Sequence, residues 1–384
     1  MQATFPGAAC SAVDKFHLRA ASSAALRLLR DVARKLSYRT GALSLYHRLR
    51  NRQVLTVAMF HRVLKRDDPR WGTALHAWTL PDDVFDECLA FFRRHYALVK
   101  LDDVKASLEG TRPLPPRSLL ITFDDGYADN SDYALPLLRK HRVPATVFVS
   151  SDVIGRSERL WTEDLLWAYM EGRLHQRDLA SLYALLMGDT ARDVEDPGLI
   201  WEIVRRGPEL GKAQVEAALS ALKIDLYRVE HPRQMLTRSE IRNLAANGIS
   251  IGAHGKTHTA LTFSSDITNE LCSPRVALED VLAPHHQRSV DALSFPHGAY
   301  TSEIIDRSLA AGYALAFTSD AELCILRNGF LASPLVGRIE VNGQRIAPTG
   351  RLRPEMLAIA LFTATRGRAG RALRTNARSK RENR

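Results

Sequence analysis

The sequence predicts an α/β fold, specifically a closed or nearly closed β/α barrel of seven or eight parallel strands. Short apolar, β-branched runs alternate with amphipathic helical segments, as in a parallel sheet covered by helices. The unusual polar clusters each follow directly on one of those runs, the rim where such barrels carry their chemistry. No repeat of about 20–50 residues is visible, which disfavours solenoids and propellers. An open doubly wound sheet is the alternative arrangement.

The elements follow in chain order. Ala20 to Leu36 spaces Leu26, Leu29, Ala33 and Leu36 at helical intervals with Arg27, Arg30, Arg34 and Lys35 between them, a basic amphipathic helix. Val54 to Phe60 (VLTVAMF) is the first strand, Pro81 to Tyr96 a helix, Ser118 to Phe123 (SLLITF) a buried strand, Tyr133 to His141 a helix and Ala145 to Ser150 a strand. From about 155 to 232 the pattern is helical, with Trp161, Leu165, Leu166, Trp167 and Tyr169 followed by Leu182, Leu185 and Leu186, which reads as an insertion. The capping box Thr237-Arg238-Ser239-Glu240 restarts the alternation, with a helix to Gly248 and the strand Ile249 to Ala253. A further strand ends near Phe295, and a helix from Thr301 stops at Gly312 before Tyr313 to Thr318. The expected organisation is a basic N-terminal extension over 1–52, a barrel over 53–345 with its insertion, and a C-terminal helix and basic, disordered tail over 346–384.

Composition bounds the rest. The chain has 384 residues, 45% hydrophobic and 25% charged, which excludes a wholly disordered or collagen-like polymer. Cys10, Cys88, Cys272 and Cys324 have no C-x-x-C spacing and read as isolated reduced thiols. No apolar run reaches the roughly 18 residues that cross a bilayer, and no secretion signal is recognisable, so a cytoplasmic protein is expected. Of the net charge of +10, residues 1–52 carry ten Lys/Arg against Asp14 and Asp31, and residues 366–384 carry eight against Glu382, leaving −5 on the body between. A nucleic-acid enzyme would place basic surface around its site, so no specific nucleic acid is expected. The basic ends suit contact with an anionic membrane surface at its inner face.

His61 follows the first strand, Asp124 and Asp125 the second, His254 and His258 the run ISIGA, and Pro296-His297-Gly298 the run ALSF. Two adjacent carboxylates at the end of a buried strand repel each other and lose hydration, so they ask for a cation or a proton. His254 and His258, four apart, can face the same way and complete an Asp-His-His set suited to zinc or another first-row divalent ion. Taken singly, either motif also reads as a helix cap or a surface loop.

The full strings Thr122-Phe123-Asp124-Asp125-Gly126-Tyr127, Gly252-Ala253-His254-Gly255-Lys256-Thr257-His258 and Phe295-Pro296-His297-Gly298 closely resemble the successive motifs of the polysaccharide deacetylases, carbohydrate esterase family 4, which share the nodulation protein B homology domain. The resemblance runs over about 54–340. It implies a deformed β/α barrel that hydrolyses N-acetyl groups, usually on N-acetylglucosamine units. Carried over, it makes Asp124 the catalytic base, Asp125, His254 and His258 the ligands of one divalent metal (zinc first, cobalt or nickel otherwise), and Pro296, His297 and Tyr127 the substrate- and oxyanion-contacting residues. The main-chain N–H of His297 would receive the oxyanion.

This sequence departs from the pattern in three places. Gly255 stands where a Ser or Thr usually follows the first metal histidine, and the arginine that steadies the base is absent from Leu293-Ser294-Phe295-Pro296. Arg338 is the candidate for that orienting role. No histidine follows His297, so the usual late acid is missing. His61, in Met-Phe-His-Arg-Val, resembles the histidine that supplies the acid in relatives with rearranged motif order, with His297 as its rival. The string Met59 to Val63 and the insertion resemble bacterial members tied to exopolysaccharide or nodulation-type chito-oligosaccharide synthesis. Two other readings remain open: a same-fold hydrolase of a different C–N bond, such as a cyclic amide or ureide, and a catalytically silent sugar-binding protein.

Overall fold

The structure, a computed structural model, describes residues 29–156, 161–188, 198–206, 212–225, 233–283 and 289–367. The apolar runs Val54–Phe60 (β1), Ser118–Phe123 (β2), Thr146–Val149 (β3), Ser250–Ala253 (β4), Ala292–Ser294 (β5) and Leu315–Phe317 (β6) pair in parallel in chain order. After β6 the chain forms Glu322–Arg327 (β7), antiparallel to Val54 and Leu55 at the start of β1. A split strand then takes the next parallel position. Leu335–Val336 (β8) lies on Ala316 and Phe317, and Ile339–Glu340 (β9) lies on Ala58 and Met59. The two halves carry the sheet from β6 back to β1, so the deformed β/α barrel is the observed fold.

Strand parity decides which residues reach the site. Leu55 and Val57, Leu120, Phe148, Ala292, Leu315 and Phe317, and Val336 form the inner cluster, while Ala58, Leu119, Ile121, Val147, Leu293 and Ala316 face the covering helices. Side chains alternate along a strand, so the inner face continues through Thr122 to Asp124, through Gly252 to His254, through Ala292 to Ser294 and through Val336 to Arg338. All four arrive at the same rim. Gly252 serves the interior directly, because a Cβ there would stand 2.4 Å from the Phe148 ring.

The insertion is helical, with Trp161–Met170, Gln176–Met187, Leu199–Arg206 and Lys212–Ala221. Leu165, Leu182, Leu186, Ile203 and Leu219 give it an apolar cluster of its own. At the other end, helix Pro354–Phe362 leads into a short strand, Thr365–Gly367, parallel to β7. The remaining tail, Cys10 and the histidines at 285 and 286 lie outside the described residues.

The N-terminal helix differs from its sequence reading. Its described part spans 29–39, breaks at Thr40 and Gly41, and is followed by a second helix, Ala42–Arg50. Gly41 sits at φ 79°, the left-handed conformation that glycine adopts without strain. The side packed on the body is Asp31, Arg34 and Tyr38 rather than the leucines: Asp31 pairs with Arg34 and Arg353, and Tyr38 stacks on Phe91.

His47 inserts below this hairpin, stacked on Phe362 at 4.0 Å and edge-on to Tyr96. Burial, reinforced by Arg117, pushes its imidazole down to about 4, and burial with Arg94 pushes His95 down to about 4 as well. Both rings are therefore neutral in the fold while the unfolded chain binds protons near the ordinary value of 6.5. Their contribution is fully present above about 6.5 and is lost as pH falls toward 4. The thermal midpoint should drop across that window, and the His47→Phe variant should show a shallower drop in calorimetry at stepped pH.

Candidate metal and catalytic site

Asp125 leaves β2 at φ 73° and is followed by Gly126 at φ 84°, a left-handed pair that turns the chain sharply at the barrel mouth. A side chain at 126 would strike Val149, since its Cβ would lie 2.9 Å from the valine Cγ1. His258 (φ 64°) and His297 (φ 57°) are left-handed too. Non-glycine residues rarely hold this conformation, and such strain collects at functional sites.

The turn brings Asp125 Oδ1 to 3.1 Å from both His254 Nε2 and His258 Nε2. One donor atom from each of the three residues lies within 4.8 Å of the others. The His254 ring is oriented by its other nitrogen, Nδ1, which donates to the Ser294 carbonyl at 2.8 Å. That bond fixes the tautomer and leaves the Nε2 lone pair aimed at the site. His258 is held through its main chain, because His297 Nε2–H donates to the His258 carbonyl at 3.1 Å and the two rings lie 4.3 Å apart.

The loop between the histidines has a support that the sequence reading missed. Glu270 accepts from the Lys256 and Thr257 main-chain N–H groups and from the Thr257 hydroxyl, at 2.7–3.0 Å. This carboxylate orients the loop in the absence of a hydroxyl at Gly255. A larger residue there has little room, as a Cβ would stand 3.0 Å from Pro296 and 3.3 Å from Glu270.

Asp124 is held from beneath by Arg338. The guanidinium makes a two-pronged contact, Nη1 to Oδ1 and Nη2 to Oδ2, both 2.7 Å. Its Nε donates to the Thr318 carbonyl at 2.9 Å, and its Nη2 also donates to Ser294 Oγ at 2.9 Å. Ser294 Oγ in turn donates to Asp124 Oδ2 at 3.2 Å. Burial alone would raise the Asp124 carboxyl, but Arg338, with His254 and His61 contributing, holds it below the ordinary carboxylate value. Ser294 thus serves both halves of the site, its carbonyl on His254 and its hydroxyl on Asp124. The inward parity of ALS in β5 was the only sequence signal for it.

His61 stands at the end of β1, near enough to influence both carboxylates electrostatically, with its ring 5.7 Å from that of Trp78. Its main chain is clamped: Asn130 Nδ2 donates to the His61 carbonyl at 2.9 Å, and the next residue, Arg62, forms a buried pair with Asp129 at 2.9 Å. Asp129 also accepts from the Val63 N–H at 3.0 Å. Tyr127 is placed differently from the sequence expectation. Its ring is buried with Val153 and Met235 under the Arg62 guanidinium, 4.4 Å away, and presents no surface to a substrate. Pro296 is buried, whereas His297 lies at the surface beside His258.

The polysaccharide deacetylase family model matches residues 111–316, which include Asp124, Asp125, His254, His258 and the Pro296-His297 turn. The chain belongs to the polysaccharide deacetylase family. His61 and Arg338 lie outside the matched stretch, so their placement rests on geometry. Among curated deacetylase-family proteins, YxkH of Bacillus subtilis (strain 168) is 41% identical over 63 residues, 16% of this chain, and the match spans only 23% of YxkH. Of the solved structures, the Streptococcus pyogenes deacetylase PplD in complex with acetate superposes with a TM-score of 0.50 at 16% identity, covering 80% of this chain and 98% of PplD. The Bacillus anthracis polysaccharide deacetylase BA0330 gives 0.50 at 14% identity, covering 80% and 69% respectively. At these identities the likeness is one of fold.

Proposed function

We propose that this polysaccharide deacetylase is a metal-dependent hydrolase that removes N-acetyl groups from N-acetylglucosamine-type units of an oligo- or polysaccharide, in exopolysaccharide or nodulation-type chito-oligosaccharide synthesis. The observation that carries the reading is the convergence of Asp125, His254 and His258 beside a buried, arginine-held Asp124. The donors fit a divalent ion: one carboxylate and two imidazoles, one of them with its tautomer set by the Ser294 carbonyl. Zinc suits this set with positions left open, and cobalt or nickel accept the same donors. When bound, such an ion supplies Lewis acidity at the acetyl carbonyl and lowers the pKa of water.

The remaining steps belong to the chain. Asp124, kept anionic by Arg338, takes a proton from the water that adds to the acetyl carbon. The left-handed turn at His297 supplies a main-chain N–H for the developing oxyanion. His61 gives a proton to the sugar nitrogen as the C–N bond breaks, so acetate and a free amine leave together. His297 is the weaker candidate for that acid, because its Nε2–H already holds the His258 carbonyl.

Acetate and free amine should appear in equal amounts from N-acetylated chito-oligosaccharides. Release from O-acetyl esters alone, or turnover of a cyclic amide instead, would overturn the reading. His61→Ala should keep metal, slow release by about 10² or more, and remove the alkaline limb of the pH–rate profile. A near-native rate with an unchanged bell would return the acid role to His297 or to water.

A further inference from the structure

The two N-terminal helices turn apolar side chains away from the body that they pack against. In helix 29–39 the packed side is Asp31, Arg34 and Tyr38, whereas Leu29, Val32 and Leu36, spaced three and four apart, lie on the opposite side. In Ala42–Arg50 the packed side centres on His47, and Leu45 and Leu49 lie opposite it. These five residues are 54–74% exposed. Single exposed leucines are ordinary, but outward stripes on two consecutive helices are not.

The surroundings of the stripes are basic. Arg30, Lys35, Arg39 and Arg48 are exposed on the same two helices, and Asp31, their one acidic residue, is paired with Arg34 and Arg353. The other basic end of the chain starts beside them. Arg50 donates to the carbonyls of Phe362 and Ala364 at 3.0 and 2.9 Å, two residues before the segment 366–384 with its eight Lys/Arg. The last described residues, Thr365–Gly367, therefore follow directly on a contact with the second of these helices.

We propose that the hairpin 29–50 is a membrane-docking face that lays its leucines into the interface of an anionic bilayer while its arginines and lysines engage the headgroups. A phosphate backbone such as RNA would answer the charge and leave the leucines in water; a bilayer answers both. The hairpin enters β1 at Val54, and His61 lies beyond the far end of that strand. The docked enzyme would thus hold its active-site rim on the side away from the hairpin and meet its saccharide from the aqueous phase. The inference is independent of the reaction at that rim.

The test is flotation of the full-length protein with vesicles of phosphatidylcholine, with or without phosphatidylglycerol. The wild type should float with the anionic vesicles and dissociate as salt rises. The combined change Leu29→Ser, Leu36→Ser, Leu45→Ser and Leu49→Ser should weaken that binding at least tenfold, with an unchanged thermal midpoint and unchanged acetate release from a soluble substrate. Equal binding by this variant would reduce the contact to charge alone and overturn the docking face. So would a wild-type dimer that the variant converts to monomer, or tight binding of RNA without binding of vesicles.

Discussion

His254→Ala or His258→Ala will leave the protein without its divalent ion and without measurable acetate release. Each histidine places its Nε2 3.1 Å from Asp125 Oδ1, so removing either leaves two donors around the same point. His254→Ala carries a second cost, since the Ser294 carbonyl loses its buried partner, worth about 1–3 kcal/mol. His258→Ala also takes a partner from Asp125 but orphans no carbonyl, so its thermal midpoint in metal-free buffer should stay closer to the wild type than that of His254→Ala. Glu270→Gln provides a graded control: the carboxylate only holds the ligand loop, and its loss should weaken metal affinity about 10–100-fold, as for other supports behind a ligand. Elemental analysis alongside acetate assays checks all three.

Asp124→Asn should retain the ion and lose about 10² to 10⁴ in rate, the usual share of a positioned general base. Arg338→Met acts on the same carboxylate through the fold. Both residues are buried, and stripping one partner from such a pair costs about 3–5 kcal/mol because the other charge is left uncompensated. The sign of the pH effect follows from the environment: burial raises the Asp124 carboxyl and Arg338 lowers it, so without Arg338 the base protonates at higher pH. The acidic limb of the profile should move up, and stability should partly return in the double variant Arg338→Met/Asp124→Asn. An unmoved limb would separate Arg338 from the base.

The strands and the Asp-Asp and His-x-x-x-His strings were legible because the physics that makes them is local. A buried parallel strand must be apolar and β-branched, and its end is where paired carboxylates stand out. Arg338 could be named only as a candidate, since its fork onto Asp124 spans 214 positions of chain. The split strand that carries it has halves of two residues each, too short for periodicity to register. Glu270 acts on main-chain N–H groups of a loop, and Ser294 acts through its own carbonyl and hydroxyl on His254 and Asp124, partners that only the fold brings near them. The orientation of the N-terminal helices was not legible for a related reason. The leucine spacing gave the amphipathic face correctly, but spacing cannot say whether the apolar or the mixed side meets the body, and ion pairs of Asp31 with Arg34 and Arg353 decide that.

The central claim is hydrolysis of an acetamide at a metal held by Asp125, His254 and His258. It is tested most directly by following acetate and amine release from an N-acetylated chito-oligosaccharide before chelation, after removal of the ion, and after zinc is returned. Equal yields of acetate and amine, lost with the ion and restored at one equivalent of zinc per chain, are the expected result. Turnover that survives complete removal of the ion, or acetate without amine, would contradict it.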